Sequence, residues 1–304
     1  MKLSVLLCTH NPRPAYIGRV LDALAAQAAP PDWELVVVDN RSTPPLRDWL
    51  DLSRFPGARL LHEPEAGFTP ALVRAVEAAA GDVCLMLHDD NVLPPGYLAE
   101  VARIGVEWPR LGAWGGGYEP EYETAPDPAH EPFLAYLAVH PVKQERWSNA
   151  LYDYGATPTG AGMAVRTHIL RRYTATVRHD DRRRSLGRHA AHITSCEDFD
   201  IAFTAIDLGY GTGVFPSLML RHLIPAGRVQ RDYLVRLVEG HAYSTVLLHS
   251  FRGVPAPVAR GPLAALRRWR RRHSLSPVER EVEAAYRTGE LRAHAVLRRS
   301  RTAS

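Results

Sequence analysis

Residues 3–39, LSVLLCTHNPRPAYIGRVLDALAAQAAPPDWELVVVD, contain two apolar runs with an amphipathic stretch between them. The runs Leu3–Cys8 and Trp33–Asp39 are short and almost continuously apolar, which is typical of strands buried on both faces. Through Ile17–Gln27, apolar residues recur at helical spacing instead. The order of strand, helix and strand predicts a β-α-β unit with parallel strands.

The same alternation continues to residue 87. A run at Arg59–His62, a helix through Thr69–Ala80 and a run at Val83–Leu87 follow in turn. We therefore predict an α/β fold in which helices flank a mostly parallel central sheet.

From about Glu107 onwards, the sequence follows a less regular pattern. Trp108–Gly117 predicts a strand and a turn, whereas the Pro- and Glu-rich segment Tyr118–Pro132 has no periodicity and is expected to be a long loop. Gly160–Arg166 and Phe215–Arg221 are predicted strands, and Thr194–Leu208 is a predicted helix. Sequence rich in helix-forming residues continues from there to the end of the chain.

Charge is distributed unevenly along the 304 residues. Residues 260–304 hold 12 Arg and four acidic residues, whereas the first 259 residues hold 25 basic and 29 acidic ones. A mildly acidic body argues against nucleic acid as a partner. In the basic tail, Leu263, Leu266 and Trp269 share one helical face, which is typical of a segment that lies on an anionic membrane surface. A helix packed on its own domain is the alternative.

Three cysteines, Cys8, Cys84 and Cys196, lie in or beside apolar runs and form no C-x-x-C pair. Buried, reduced thiols are the expectation. The chain has no apolar stretch of the roughly 18–20 residues that a membrane span needs, and its first residues turn polar too early for a signal peptide. We expect a cytoplasmic protein, peripheral at the inner face of the plasma membrane if the tail binds there.

Polar clusters follow three of the predicted strands. They are Thr9-His10-Asn11, Asp39-Asn40 and His88-Asp89-Asp90. Ligands of open α/β sheets bind beyond the carboxyl ends of the strands, so the clusters predict a site at one edge. The first turn, THNPRP, contains no glycine and so has neither a dinucleotide-binding fingerprint nor a phosphate loop. Side chains would therefore have to recognise a nucleotide.

The adjacent carboxylates Asp89 and Asp90 are the most informative of these residues. At the end of a buried strand they repel each other unless a cation or a hydroxyl-rich ligand satisfies them. Mg²⁺ and Mn²⁺ are commonly held by one or two carboxylates together with substrate phosphate oxygens. A solvated turn is the alternative, and the position directly after VCLMLH favours a metal–diphosphate site.

Four features further along have both a structural and a chemical interpretation. Glu197 and Asp198 suit the first turn of a helix, where acids complement the helix dipole, but they also suit general-base chemistry. His222 is either a structural residue or a metal ligand, and Arg228 either a surface residue or a partner for a diphosphate. The glycines of Gly160-Ala161-Gly162 leave room for a sugar ring or mark a tight turn.

Taken in order, these elements resemble the family 2 glycosyltransferases, which have the GT-A nucleotide-sugar fold. The similarity spans roughly residues 3–230, about three quarters of the chain. The matching segments are LLCTHNP, LVVVDNRS, EAGFTPALVRAVEAAAGDVCLMLHDDNVLP, YGATPTGAGMAVR and SCEDFDIAFTAIDLGYGTGVFPSLMLRHLIPAGR.

The resemblance implies roles for individual residues. Thr9, Asn11, Asp39 and Asn40 would line the nucleotide pocket, with Asp89 near the ribose and the metal. Asp90 would be a metal ligand, completed by His222, and Arg228 would face the diphosphate. Asp198 would be the general base, with Glu197 as the alternative or its partner. Gly160, Ala161 and Gly162 would lie beside the donor and acceptor sugars.

Two departures from the family pattern accompany the resemblance. His88 stands where the family usually has the first aspartate of its D-x-D element. Leu72 and Val73 stand where the family often has an Arg-Asn pair, with Arg74 one residue further on.

The implied activity is inverting, Mn²⁺- or Mg²⁺-dependent transfer of a sugar from a nucleotide-diphosphate sugar to an acceptor hydroxyl. We expect a UDP-sugar as donor and a saccharide or lipid-linked acceptor, in the synthesis of cell-envelope polysaccharide or glycoconjugates. The alternatives are a sugar nucleotidyltransferase, whose Gly-rich opening loop is missing at Leu7–Arg13, and a nucleotide-sugar-binding protein without activity.

The predicted organisation is a donor-binding half over residues 1–105 and an acceptor-binding, catalytic half over 106–235. A helical, Arg-rich extension is expected over 236–304.

Overall fold

The computed structural model describes residues 1–28, 30–188, 193–254 and 275–302. Its strands are β1 (Leu3–Thr9), β2 (Trp33–Asp39), β3 (Arg59–His62), β4 (Val83–Leu87), β5 (Asn91–Val92), β6 (Leu111–Gly115), β7 (Tyr118–Tyr122), β8 (Arg146–Ser148), β9 (Ala164–Arg166), β10 (Gly211–Val214) and β11 (Leu220–Ile224). Its helices are α1 (Pro14–Ala25), α2 (Phe68–Ala78), α3 (Tyr97–Glu107), α4 (Glu131–Leu134), α5 (Thr167–Val177), α6 (Asp181–Arg184), α7 (Glu197–Asp207), α8 (Arg231–Phe251) and α9 (Pro277–Thr302).

The chain divides into two compact units. The first contains Met1–Glu121, Val139–Ala190 and Glu197–Ile224. The second contains Tyr122–Ala138, Ala191–Cys196 and Pro225–Ser304.

The first unit is built on an eight-stranded sheet with the order β3-β2-β1-β4-β9-β6-β10-β8. Strands β3, β2, β1 and β4 are mutually parallel, as are β6 and β10. The short strand β9 runs antiparallel to both of its neighbours, and β8 runs antiparallel to β10. A second sheet has the order β5-β11-β7. The predicted α/β fold with a mostly parallel sheet is confirmed.

Apolar side chains from three helices cover one face of the large sheet. The sheet contributes Leu6, Val36, Val38 and Met86, α2 contributes Leu72, Ala75 and Val76, α5 contributes Ile169 and Leu170, and α7 contributes Ile201, Ala202 and Ala205. Burying one large aliphatic side chain contributes about 1.5–3 kcal/mol. Packing in this layer holds α2 and α7 against the sheet. Both helices begin at the carboxyl edge of its first strands.

The predicted strands Trp33–Asp39, Arg59–His62 and Val83–Leu87 are present with these bounds. The predicted strand Gly160–Arg166 is shorter and begins only at Ala164. Gly162 adopts a positive φ of 75°, and its N–H donates to the Met86 carbonyl at 2.7 Å, so the first part of this segment is a turn.

Two other predicted boundaries were wrong. The segment Tyr118–Pro132 was expected to be a loop, but it opens with strand β7, because the Tyr118 side chain is buried in the small sheet. The predicted strand Phe215–Arg221 starts late, since a 3-10 turn over Pro216–Leu218 precedes β11.

In the second unit, α8 and α9 pack against each other and are linked by ion pairs. Arg231 lies 2.9 Å from Glu281, and Arg292 lies 3.7 Å from Glu239. Within the described ranges, no helix combines the length and the apolar character that a membrane span requires. The amphipathic face predicted from Leu263, Leu266 and Trp269 lies outside the described residues.

Replacing Gly162 by alanine should destabilise the first unit by about 2–4 kcal/mol. The new Cβ would lie 2.5 Å from the Tyr97 hydroxyl and 2.6 Å from Leu220 Cδ2, at a positive φ that side chains rarely adopt. Chemical denaturation measures the loss. Gly18→Ala is the matched control, because Gly18 is in α1 with nothing within 4 Å of its Cβ position; it should be neutral or more stable. Equal stability of both variants would contradict the packing described here.

Candidate functional site

The polar clusters at the ends of β1, β2 and β4 meet at one edge of the sheet. The Thr9 hydroxyl donates to the Asp89 carboxylate. In the segment that follows β1, His10 Nδ1 lies 2.6 Å from the Asn40 carbonyl oxygen, and the Asn11 N–H donates to Ser42 Oγ at 2.9 Å. The parallel register of β1 and β2, with Thr9 opposite Asp39, brings these residues together.

Asp39 and Asn40 are engaged by backbone groups. Asp39 accepts hydrogen bonds from the Ser42 and Leu46 N–H groups, both at 2.9 Å. Burial raises the pKa of Asp39, but these hydrogen bonds outweigh it and hold the pKa below its ordinary value. The Asn40 amide donates to the carbonyls of residues 63 and 65 and accepts from the Gly67 N–H. Both side chains therefore shape the loops around the edge.

Asp90 and His222 face each other from β4's end and from β11. His222 Nε2 lies 3.7 Å from Asp90 Oδ2, and both residues are more than nine-tenths buried. Within the described chain, the buried His222 Nδ1 has no hydrogen-bond partner. A carboxylate beside an imidazole is a donor set that suits Mn²⁺. No cluster of three or more ligating side chains occurs in the described ranges, so further ligands would have to come from a bound substrate.

Glu197 and Asp198 begin α7. Because Asp198 lies three and four residues before Ile201 and Ala202, it continues the buried face of the helix to the sheet edge. Asp198 Oδ2 accepts the Gly160 N–H at 3.0 Å, and Oδ1 accepts the Phe199 N–H at 2.8 Å. The two bonds fix the direction of this carboxylate.

The electrostatics of the pair are unusual. Burial raises the pKa of both carboxyl groups, and the charge of Asp198 helps to raise the pKa of Glu197 to about 8. Glu197 Oε2 is buried and has no hydrogen-bond partner among the described residues. Near neutral pH, the Glu197 carboxyl group is therefore protonated, beside the hydrogen-bonded Asp198.

Gly160 joins this pair to the strand ends. A Cβ at Gly160 would lie 3.4 Å from His88 Cε1 and 3.7 Å from Asp198 Oδ2. The glycine thus leaves space between the end of β4 and the start of α7. Ala161 and Gly162 continue the turn and are held from behind, since the hydroxyls of Tyr118 and Tyr97 donate to their carbonyls at 2.7 and 3.0 Å.

Two residues of this region, Tyr118 and Arg188, had not been singled out as site residues, and Tyr118 was named only as the first residue of an expected loop. Tyr118 is buried, accepts a hydrogen bond from Thr159 Oγ1 at 2.8 Å and has its pKa raised by burial and by the charges of Asp198 and Asp90. Its ring lies 6.3 Å from that of His222. It therefore lies near both Asp198 and Asp90. Its position in a segment without periodicity gave no signal of burial.

Arg188 is the second missed residue. Its positive charge lowers the pKa of both Glu197 and Asp198, against the effect of burial. Its carbonyl accepts the Phe68 N–H at the start of α2 at 3.1 Å. The Arg-rich run that contains it, RRRSLGR, looks in the sequence like solvated surface.

The structure also describes Arg228 and the residues at the position of the family's Arg-Asn pair. Arg228 belongs to the second unit, in the 3-10 turn Ala226–Val229. Arg74 is exposed on α2, whereas Leu72 is buried in the core and Val73 packs against it. The chain therefore uses these two positions for packing.

The family model described as Glycosyl transferase family 2 matches residues 4–174, more than half of the chain. The chain belongs to this family. It is a glycosyltransferase, and the match contains all four predicted strands of the first half.

Solved structures similar to this family 2 enzyme have the GT-A fold. The mannosyltransferase PcManGT from Pyrobaculum calidifontis, in complex with GDP-Man and Mn²⁺, is 19% identical with a TM-score of 0.55, over 99% of this chain and 75% of that one. TarS 1-349 from S. aureus is 16% identical with a TM-score of 0.53, over 83% of this chain and 71% of that one. TarS is also solved with UDP-GlcNAc, with a TM-score of 0.52. Among curated proteins nothing matches the sequence.

Glu197→Gln should become more stable than the wild type as the pH rises. Folding raises the pKa of Glu197 from its ordinary 4.5 to about 8, so the folded protein holds a proton that the unfolded chain releases. The wild type therefore loses stability between pH 4.5 and 8, and the amide does not. We expect near-equal stability at pH 4.5 and an advantage of about 1–3 kcal/mol at pH 9.

Urea denaturation at pH 4.5, 7 and 9 measures this difference. Glu119→Gln is the matched control, because Glu119 is exposed on β7. A constant difference between Glu197→Gln and the wild type across this range would contradict the raised pKa.

Proposed function

We propose that this enzyme transfers a sugar, with inversion, from a nucleotide-diphosphate sugar to a hydroxyl group of a saccharide or lipid-linked acceptor. One observation carries the proposal. The Gly160 turn, which hydrogen-bonds Asp198, also lies against His88 at the end of β4. The proposed general base and the end of β4, where Asp89 and Asp90 follow His88, are therefore neighbours across a position without a side chain, where a sugar ring could lie.

Asp198 is the proposed general base. Its Oδ2 atom would take the proton of the acceptor hydroxyl as that oxygen attacks the anomeric carbon and the bond to the diphosphate breaks. The Gly160 and Phe199 N–H groups hold the carboxylate in one direction and keep it ionised beside Glu197. Glu197, with its raised pKa, would be the protonated partner that avoids a second negative charge.

The donor nucleotide would lie over the strand ends. Thr9, Asn11 and Asp89 are the proposed contacts with base and ribose, while Asp39 and Asn40 would hold the surrounding loops in shape. The TarS complexes with UDP and UDP-GlcNAc support a UDP-sugar as donor. PcManGT was solved with GDP-Man, so the turnover assay includes both uridine and guanosine nucleotide sugars.

Asp90 and His222 are the residues proposed to hold Mn²⁺ or Mg²⁺. A divalent ion bound there would neutralise the charge that develops on the leaving nucleoside diphosphate. Arg188, close to the carboxylate pair, is a second proposed source of positive charge.

We propose a donor half over residues 1–105, an acceptor and catalytic half over 106–235, and a helical extension over 236–304. Residues 260–304, with their 12 Arg, would contact an anionic membrane surface at the cytoplasmic face. Such contact fits a role in the synthesis of envelope polysaccharide or glycoconjugates.

Asp198→Asn should abolish transfer and leave donor binding intact. Loss of the base should lower kcat by about 10²–10⁴-fold, because the amide cannot accept the proton but keeps the shape of the side chain. Release of nucleoside diphosphate from a panel of nucleotide sugars measures turnover, and calorimetry measures donor binding.

Asp207→Asn, at the exposed far end of the same helix, is the matched control and should retain turnover. If Asp198→Asn retains wild-type turnover while Glu197→Gln does not, the base is Glu197. If both retain it, the proposed mechanism is wrong.

Asp90→Asn and His222→Gln should each weaken Mn²⁺ binding by about tenfold or more. Each variant removes one of the two facing ligands. Electron paramagnetic resonance counts free Mn²⁺ with and without UDP. His179→Gln, at an exposed position of the first unit, is the control. Unchanged Mn²⁺ binding in both variants would place the metal elsewhere.

A further inference from the structure

A pocket of about 600 Å³ opens in the first unit, next to the carboxylate pair. Thr159 and Phe199 are among the residues that line it. Thr159 precedes Gly160, whose N–H holds Asp198, and Phe199 follows Asp198 directly. The pocket therefore lies beside the proposed base.

An aromatic ring forms one wall of this pocket. Tyr154 is 41% exposed, and its ring meets the Phe199 ring edge-on with centroids 5.0 Å apart. A partly exposed ring held in a fixed orientation is suited to stack on the apolar face of a sugar. Such a wall is suited to a saccharide.

The lining of the pocket also carries positive charge. Lys143 and Arg146 both line it, and the lining contains no carboxylate. Asp153, outside the lining, lies 4.0 Å from Arg146, and both side chains are more than one-third exposed. In the described part of the chain, no carboxylate lies within ion-pairing distance of Lys143, and burial lowers the pKa of His140, which therefore adds no charge near neutral pH.

We infer that the acceptor is an anionic saccharide, with a phosphate or carboxylate group that binds Lys143 and Arg146 while its hydroxyl lies at Asp198. The inference rests on the proposed function and adds the chemical class of the acceptor. A guanidinium and an ammonium group form charge-assisted hydrogen bonds with either anion, which a neutral glycan cannot offer.

Binding of small probes tests the inference without turnover. Saturation-transfer NMR would compare D-glucose, D-glucose 6-phosphate and D-glucuronate, and the same three forms of mannose and galactose, on wild type, Lys143→Gln/Arg146→Gln and Arg172→Gln. Arg172 is the control because it is exposed on α5 and outside the pocket. The wild type and the control should prefer an anionic form by about tenfold or more. The double variant should lose that preference and bind neutral sugars unchanged.

The two anionic forms distinguish phosphate from carboxylate recognition. Equal binding of neutral and anionic sugars by the wild type, or an unchanged preference in the double variant, would overturn the inference. UDP binding by the double variant is measured as well. If its UDP affinity falls together with its affinity for anionic sugars, the two cations bind the donor diphosphate and the inference is wrong. A protein that shows the preference but neither binds UDP or GDP nor releases either from a nucleotide sugar would refute the proposed function alone.

Discussion

The hydrogen bond from the Gly160 N–H to Asp198 Oδ2, 3.0 Å long, joins the parts of the chain on which the proposed chemistry depends. It ties the start of α7 to the turn before β9, and β9 lies beside β4, whose end carries Asp89 and Asp90. The bond requires a backbone donor at a place where a side chain would fill the space needed by a ligand. A carboxylate held this way keeps its direction without a second side chain, so the region can be open to solvent on one side and still be ordered.

The turn that supplies this donor is itself held by buried tyrosines. The hydroxyls of Tyr97 and Tyr118 donate to consecutive carbonyls of the turn, and both rings are almost fully buried. Burial raises the pKa of each phenol above its ordinary value near 10, so both remain protonated donors near neutral pH. Phenol groups are suited to this support because each combines a large apolar body, which anchors it in the core, with one hydroxyl group at its tip. Small residues in the turn are the complement of these large ones behind it.

Much of the fold could be predicted from the sequence, because continuous apolar runs and helical periodicity are local signals. They located β2, β3 and β4 to the residue. The site was accessible only in part. Polar residues at strand ends follow from the topology, but Tyr118 and Arg188 lie in segments without periodicity, and the backbone bonds of Asp39 depend on a loop that no local pattern describes. Whether Glu197 and Asp198 cap a helix or face a ligand is a question of burial, which emerges only when α7 packs against the sheet.

The antiparallel strand β9 has a consequence for the order of assembly. Strands β1 to β4 come from the first 87 residues, and β1, β2 and β3 pair only within this block of the sheet, so the block can form while the chain is still emerging from the ribosome. In the sheet that the described residues form, β9 lies between β4 and β6, so β6 and β10 cannot join the block through it until residues 164–166 have been made. The edge of β4 that β9 later covers is thus exposed during synthesis. A nascent chain that stalls before residue 164 would present this edge to other chains, which makes the middle of translation its most aggregation-prone stage.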